Sequence, residues 1–246
     1  MSTLPRTLLI SLRDQQDPVA KQEASCFKTA AGLDELDLLQ LTNGTCNATA
    51  LQAYDLIFIG GSGAYSVLDD TPWIHAFLDL LLEICAMGIP THASCFGFQG
   101  LALALGGSVV HDEARRELGV RALQLTDAGK TDPLFSRLPT QFYAQLGHHD
   151  HVTQLPSCVT ELVTGEMSPH QALKVDNAPF WATQFHPELN RDSTMERWLV
   201  YRDHYASDPE SGAEIENDIR NSPDTPETST LLPALVDWVR TGSWDR

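Results

Sequence analysis

Pro90-Thr-His-Ala-Ser-Cys-Phe-Gly-Phe-Gln99 changes character at its centre. The residues before Cys95 read as a short strand. After it, Phe98, Leu101, Ala102 and Leu105 fall at helical spacing and Gly106-Gly107 closes the run. Cys95 therefore stands at a strand-to-helix turn, which in an α/β sheet lifts a side chain to the carboxyl edge where ligands bind. A thiol attacks carbonyl carbon only as the thiolate, and a helix N-terminus favours negative charge.

Upstream, the apolar runs Arg6 to Leu12, Leu36 to Leu41 and Tyr54 to Ile59 are separated by intervals suited to crossover helices. The third run empties into Gly60-Gly-Ser-Gly63, where glycine lets backbone N–H groups turn freely. Thr71-Pro72 then opens a helix whose apolar positions are Trp73, Ile74, Phe77, Leu78, Leu81 and Leu82, and Gly88-Ile-Pro90 ends it. From Ser108 the runs become shorter: Val120 to Leu125, Gln141 to Leu146, Val159 to Thr164, Gln171 to Val175 and Phe180 to Phe185. The predicted fold class is α/β, an open and mostly parallel sheet with helices on both faces, plus a small antiparallel β section. A helix over Ser193 to Tyr205 is expected to turn Met195, Trp198, Leu199 and Tyr205 inward. Acidic, proline-containing residues Ser207 to Ser229 read as a mobile linker, and Leu231 to Val239 as a last amphipathic helix, against the domain or a partner. The division is one domain over 1–206 and a linker with a C-terminal helix over 207–246.

Composition bounds the function. With 246 residues and 42% hydrophobic content the chain can bury a full core, and no apolar run approaches the roughly 18 to 20 residues that cross a bilayer. The start reads as a first strand and not a signal peptide. A net charge of -17 argues against nucleic acid and anionic lipid as partners. Five scattered cysteines with no CxxC pair argue against a disulfide framework or structural zinc, and for a reducing cytoplasm.

Beyond Cys95 the chain reads Gln184-Phe-His-Pro-Glu188, a base with a carboxylate two residues on to orient it. Together, Cys-Phe-Gly-Phe-Gln99, the Gly60-Gly61 turn and Gln-Phe-His-Pro-Glu188 resemble the triad-type class I glutamine amidotransferase family, over about Leu8 to Tyr205. Gly60 to Ile74, Arg116-Glu-Leu-Gly119 and Gly147-His-His-Asp-His-Val152 are similar to stand-alone members related to the amidotransferase domain of GMP synthetase.

That resemblance implies a flavodoxin-like sheet and no cofactor. It also implies that Cys95 attacks the γ-carboxamide of glutamine, His186 moves the protons and Glu188 fixes the imidazole. The N–H groups of Gly61 and Phe96 would form the oxyanion hole, while Gln99, His148, His149 and Asp150 would hold the glutamyl backbone end. Ammonia would pass to a separate synthetase subunit, since nothing in the chain could supply an ATP-binding domain. The alternatives are a γ-glutamyl hydrolase or peptidase acting alone, and a scaffold that kept the fold. Two positions depart from the family pattern. Ala93 replaces a glycine and is tolerable if its φ is negative, while Phe98 replaces a histidine and is expected to alter the pocket or a partner contact.

His148, His149 and His151 invite a metal reading. Alternate residues of an extended segment face opposite ways, so His149 and His151 would share a face without His148, and no metal site is expected there. The glycine turn lacks the Lys-Ser/Thr of a phosphate loop.

Overall fold

The computed structural model describes residues 4–42, 44, 46–206 and 208–244, with His204 described by its backbone alone. Residues 1–3, 43, 45, 207, 245 and 246, which the domain division also covers, lie outside the described residues. In chain order the elements are β1 (Thr7–Ser11), α1 (Val19–Ala30), β2 (Asp37–Gln40), α2 (Ala48–Leu51), β3 (Leu56–Ile59), α3 (Pro72–Met87), β4 (Thr91–Ser94) and α4 (Phe96–Ala104). There follow β5 (Ser108–His111), β6 (Glu117–Leu125), β7 (Gln141–His148), β8 (Asp150–Gln154), β9 (Val159–Gly165), β10 (His170–Val175) and β11 (Phe180–Thr183), and then α5 (Arg191–Tyr205), α6 (Pro209–Asn221) and α7 (Leu231–Thr241).

One nine-stranded sheet runs β2-β1-β3-β4-β11-β10-β9-β6-β7. From β2 to β11 the pairings are parallel, and from β11 to β7 they are antiparallel. The antiparallel strands thus extend the main sheet, while β5 and β8 pair as a separate two-stranded antiparallel sheet. Alternation along the buried strands feeds two cores. Leu8, Ile10, Ile57 and Ile59 pack with α3 and α4 on one face, and Leu9, Leu56 and Phe58 with Phe27 of α1 and the apolar side of α7 on the other.

Two expectations change, and of the two placements open to the last helix the structure shows one. Most of the expected linker is α6, whose Asp208 and Ser211 form a capping box ahead of Pro209 at the first turn. Ile219 of α6 is fully buried, 3.4 Å from where a Cβ on Gly119 (φ +81°) would lie. The last helix packs on its own domain: Trp238 and Trp244 stack on each other and meet Trp181 of β11 edge-on. In α5, Leu199 is exposed and the buried positions are Thr194, Arg197 and Trp198. That rotation follows from what α5 covers, which is the polar carboxyl edge of the sheet and not an apolar face.

Candidate active site

The three candidate segments follow β3, β4 and β11, which are consecutive neighbours in the sheet, so their carboxyl ends deliver Gly61, Cys95 and His186 to one place. A Cβ on Gly61 would lie 3.3 Å from Cε1 of His186 and 3.6 Å from Cβ of Cys95. Cys95 has φ +54°, alone among the described non-glycine residues in being positive. Such a backbone costs about 1–3 kcal/mol and persists only where the surroundings impose it. Here β11 holds it on one side, through the Cys95 N–H bond to Thr183 O (2.8 Å), and α4 on the other, through Gln99 N–H to Cys95 O (3.0 Å). The turn is also tight. A Cβ on Gly97 would stand 2.9 Å from Cβ of Ala93 and 3.0 Å from Cγ2 of Ile59. Ala93 itself has no positive φ, so its methyl is accommodated.

Nδ1 of His186 lies 2.7 Å from Oε1 of Glu188. An ionised carboxylate only accepts, so Nδ1 carries the hydrogen and Nε2 is left for the thiol. Glu188 is buried and also accepts from Ser94 Oγ at 3.2 Å, with Arg197 Nη1 3.5 Å from Oε1. Burial alone would raise its pKa, but His186 and Arg197 outweigh it and bring the carboxyl down to about 2. Burial pushes the Cys95 thiol up to about 12, against the pull of Arg13, Arg197 and the Phe96 N–H. A thiol this protonated could act as a nucleophile only by passing its proton to a base beside it.

The expected oxyanion donors are unequal. The Phe96 N–H approaches the sulfur, whereas the Gly61 N–H donates to Oε1 of Glu23 at 3.1 Å. Glu23 is wholly buried, pairs with Arg13 Nε at 3.0 Å and accepts from Ser11 Oγ at 3.1 Å.

Gln99 Nε2 donates to the Asp150 carbonyl (2.7 Å) and to Gln184 Oε1 (3.2 Å), so its amide braces the β7–β8 bend. His148 is buried between the Glu117 carboxylate (3.2 Å) and the Asp150 carbonyl (2.9 Å). His149 falls in the bend between the strands and stacks on Tyr205, with centroids 4.7 Å apart. The bend breaks the alternation, and His151 goes instead into the small sheet opposite Val110.

Two cavities meet at Cys95. One, about 230 Å³, is lined by Ser62, Tyr65, Gln99, His148, His149 and Asp150 among others. The second, about 40 Å³, is enclosed by Arg13, His186, Arg197, Trp198, Tyr201 and Tyr205 with neighbouring aliphatics. Phe98 lines neither: it is fully buried in the core with α3, so the expected pocket change does not arise at that position. Sequence reasoning missed Glu23, Arg13, Arg197 and Tyr201. For the last two the signal was present, since Thr194, Arg197, Trp198, Tyr201 and Tyr205 recur at helical spacing on one face.

The family description "Glutamine amidotransferase class-I" matches residues 34–200. The chain belongs to the class I glutamine amidotransferase family. A GMP synthase [glutamine-hydrolyzing] from Thermosipho africanus (strain TCF52B) is 32% identical over 143 residues, 58% of this chain and 26% of that one. The chain thus spans about a quarter of that relative's length. The fold is shared with solved structures of a glutamine amidotransferase from Thermotoga maritima (TM-score 0.71, 22% identity, 94% of this chain and 98% of that chain) and one from Methylobacillus flagellatus (TM-score 0.69, 16% identity, 94% of each chain). Among the described residues no helix of this amidotransferase is long and apolar enough to cross a membrane.

Proposed function

We propose that this amidotransferase hydrolyses the γ-carboxamide of glutamine through a thioester on Cys95 and passes the ammonia to a separate synthetase. Cys95 attacks the amide carbon as His186 Nε2 takes the thiol proton. The same imidazolium protonates the departing nitrogen, and His186 then activates water against the thioester while Glu188 holds the ring. The Phe96 N–H donates to the oxyanion, and Gly61 joins it once its N–H leaves Glu23. Gln99 and the His148–Asp150 bend shape the larger cavity for the glutamyl end.

The observation that carries the choice of leaving group is the size of the cavity beside His186. At about 40 Å³ it has room for ammonia and a water or two, each needing on the order of 10–15 Å³, and not for a bulky amine. A bulky amine leaving on the His186 side would need that cavity to be larger. That a GMP synthase [glutamine-hydrolyzing] is among the relatives supports a synthetase as the acceptor of the ammonia. The test is a release assay across glutamine and γ-glutamyl amides of increasing amine size, with Cys95→Ala as control. Glutamine should lead, with bulky amides cleaved at least tenfold more slowly; faster cleavage of bulky amides would establish the peptidase instead.

A further inference from the structure

The small sheet performs no step in the chemistry above, yet it assembles a set of ligand atoms. Its register places His111, the last residue of β5, opposite Asp150, the first of β8. His149 is next to Asp150, and Glu113 follows His111 by two residues into a short turn capped by Asp112. His111 Nε2 and His149 Nδ1 approach the same oxygen, Oε1 of Glu113, at 3.2 and 3.1 Å, and the three atoms lie within 4.8 Å of one another.

The second nitrogen of His111 decides how this cluster reads. Nδ1 lies 2.7 Å from Oδ1 of Asp150, whose other carboxylate oxygen accepts from Ser66 Oγ. A carboxylate only accepts, so Nδ1 carries the hydrogen toward Asp150, and the far nitrogen, Nε2, faces a second carboxylate, that of Glu113. Two imidazoles and one carboxylate thus present their ligand atoms to one small region, with the Asp150 carboxylate behind His111. A tetrahedral ion with bonds of about 2.0–2.1 Å holds its ligand atoms about 3.3 Å apart, close to the two nitrogen-to-Oε1 distances. An Asp that orients a ligating imidazole through its far nitrogen is the usual support of such ions.

We propose that His111 Nε2, Glu113 Oε1 and His149 Nδ1 form a binding site for a zinc-class divalent cation, with Asp150 orienting His111, at the mouth of the cavity that leads to Cys95. Two imidazoles and one carboxylate suit zinc over magnesium or calcium, which prefer all-oxygen sites. Three protein ligands leave a fourth position open, and all three residues line the 230 Å³ cavity. The ion ties the turn after β5 to the β7–β8 bend. The proposal does not depend on which substrate Cys95 attacks.

The test is a zinc titration of the full chain against a chromophoric chelator, in a Cys95→Ser background so that the nucleophile does not compete. One equivalent should bind with micromolar or tighter affinity and raise the unfolding temperature. His149→Ala and Glu113→Gln should each lose at least tenfold in affinity, and Asp150→Asn about 10–100-fold. Glu113 is mostly exposed, so its variant should keep the parent's unfolding temperature without metal. Absence of stoichiometric zinc binding, or affinity unchanged in the His149→Ala and Glu113→Gln variants, overturns the proposal and leaves a protonated His111 as the positive charge.

Discussion

The Gly61 N–H donates to Oε1 of Glu23 at 3.1 Å, so the backbone group expected to face an oxyanion is instead turned toward a buried carboxylate. That carboxylate also neutralises Arg13, and the pair is almost wholly buried. Glu23→Gln keeps the shape and removes the charge. Taking one partner from a buried ion pair costs up to about 3–5 kcal/mol, less here because Asp17 still pairs with Arg13 at 3.3 Å, and the bond that holds Gly61 weakens as well. The expected result is a lower urea midpoint together with higher ammonia release per titrated thiol. A fall in both would show that Glu23 supports the active conformation.

Alkylation of Cys95 should be slow at neutral pH. Burial raises the thiol to about 12, so the thiolate fraction, and with it the rate of reaction with iodoacetamide, should climb about tenfold per pH unit across the alkaline range. Reaction of Cys158, which is exposed, provides the internal comparison in the same peptide map.

Glu188 contributes to stability as well as to orientation. Its folded pKa of about 2 lies below its ordinary 4.5, so the contribution is complete above pH 4.5 and is lost as pH falls toward 2. Glu188→Gln should flatten that limb of the stability profile in pH-dependent denaturant unfolding. It should also reduce kcat by about 10²–10⁴, since the imidazole is no longer fixed in the productive tautomer.

Gly97→Ala should destabilise by about 1–3 kcal/mol, because its methyl meets Cβ of Ala93 at 2.9 Å. Adding Ala93→Gly removes that clash but leaves the 3.0 Å contact to Ile59, so the double variant should recover part of the loss in thermal unfolding.

Truncation after Asp208 removes Ile219 and the apolar face of α7, which is built into the core with β1 and β3. Exposing that face should abolish cooperative unfolding, measured by circular dichroism, and should not leave a folded catalytic domain.

The three loops that meet at the thiol could be read from sequence because each carries its own local chemistry: a glycine turn, a strand-to-helix turn, and a histidine with a carboxylate two residues on. Glu23, Arg13, His111 and Glu113 were not legible, since each matters only through partners brought near by the sheet. The acidic composition of residues 207–229 hid a helix whose Asp208, Pro209 and Ser211 nonetheless spelled its beginning. Leu199 was assigned inward on hydrophobicity alone, although α5 turns its polar side to Glu188.

β11 is the last of the described strands in chain order, yet it lies in the interior of the sheet between β4 and β10. Without β11, the edge of β4 beside Cys95 is open and the turn that carries His186 is not docked. Insertion of residues 180–183 closes that edge and, through the turn that follows, brings His186 to the sulfur. Completion of the sheet and assembly of the Cys95 and His186 pair are therefore one event.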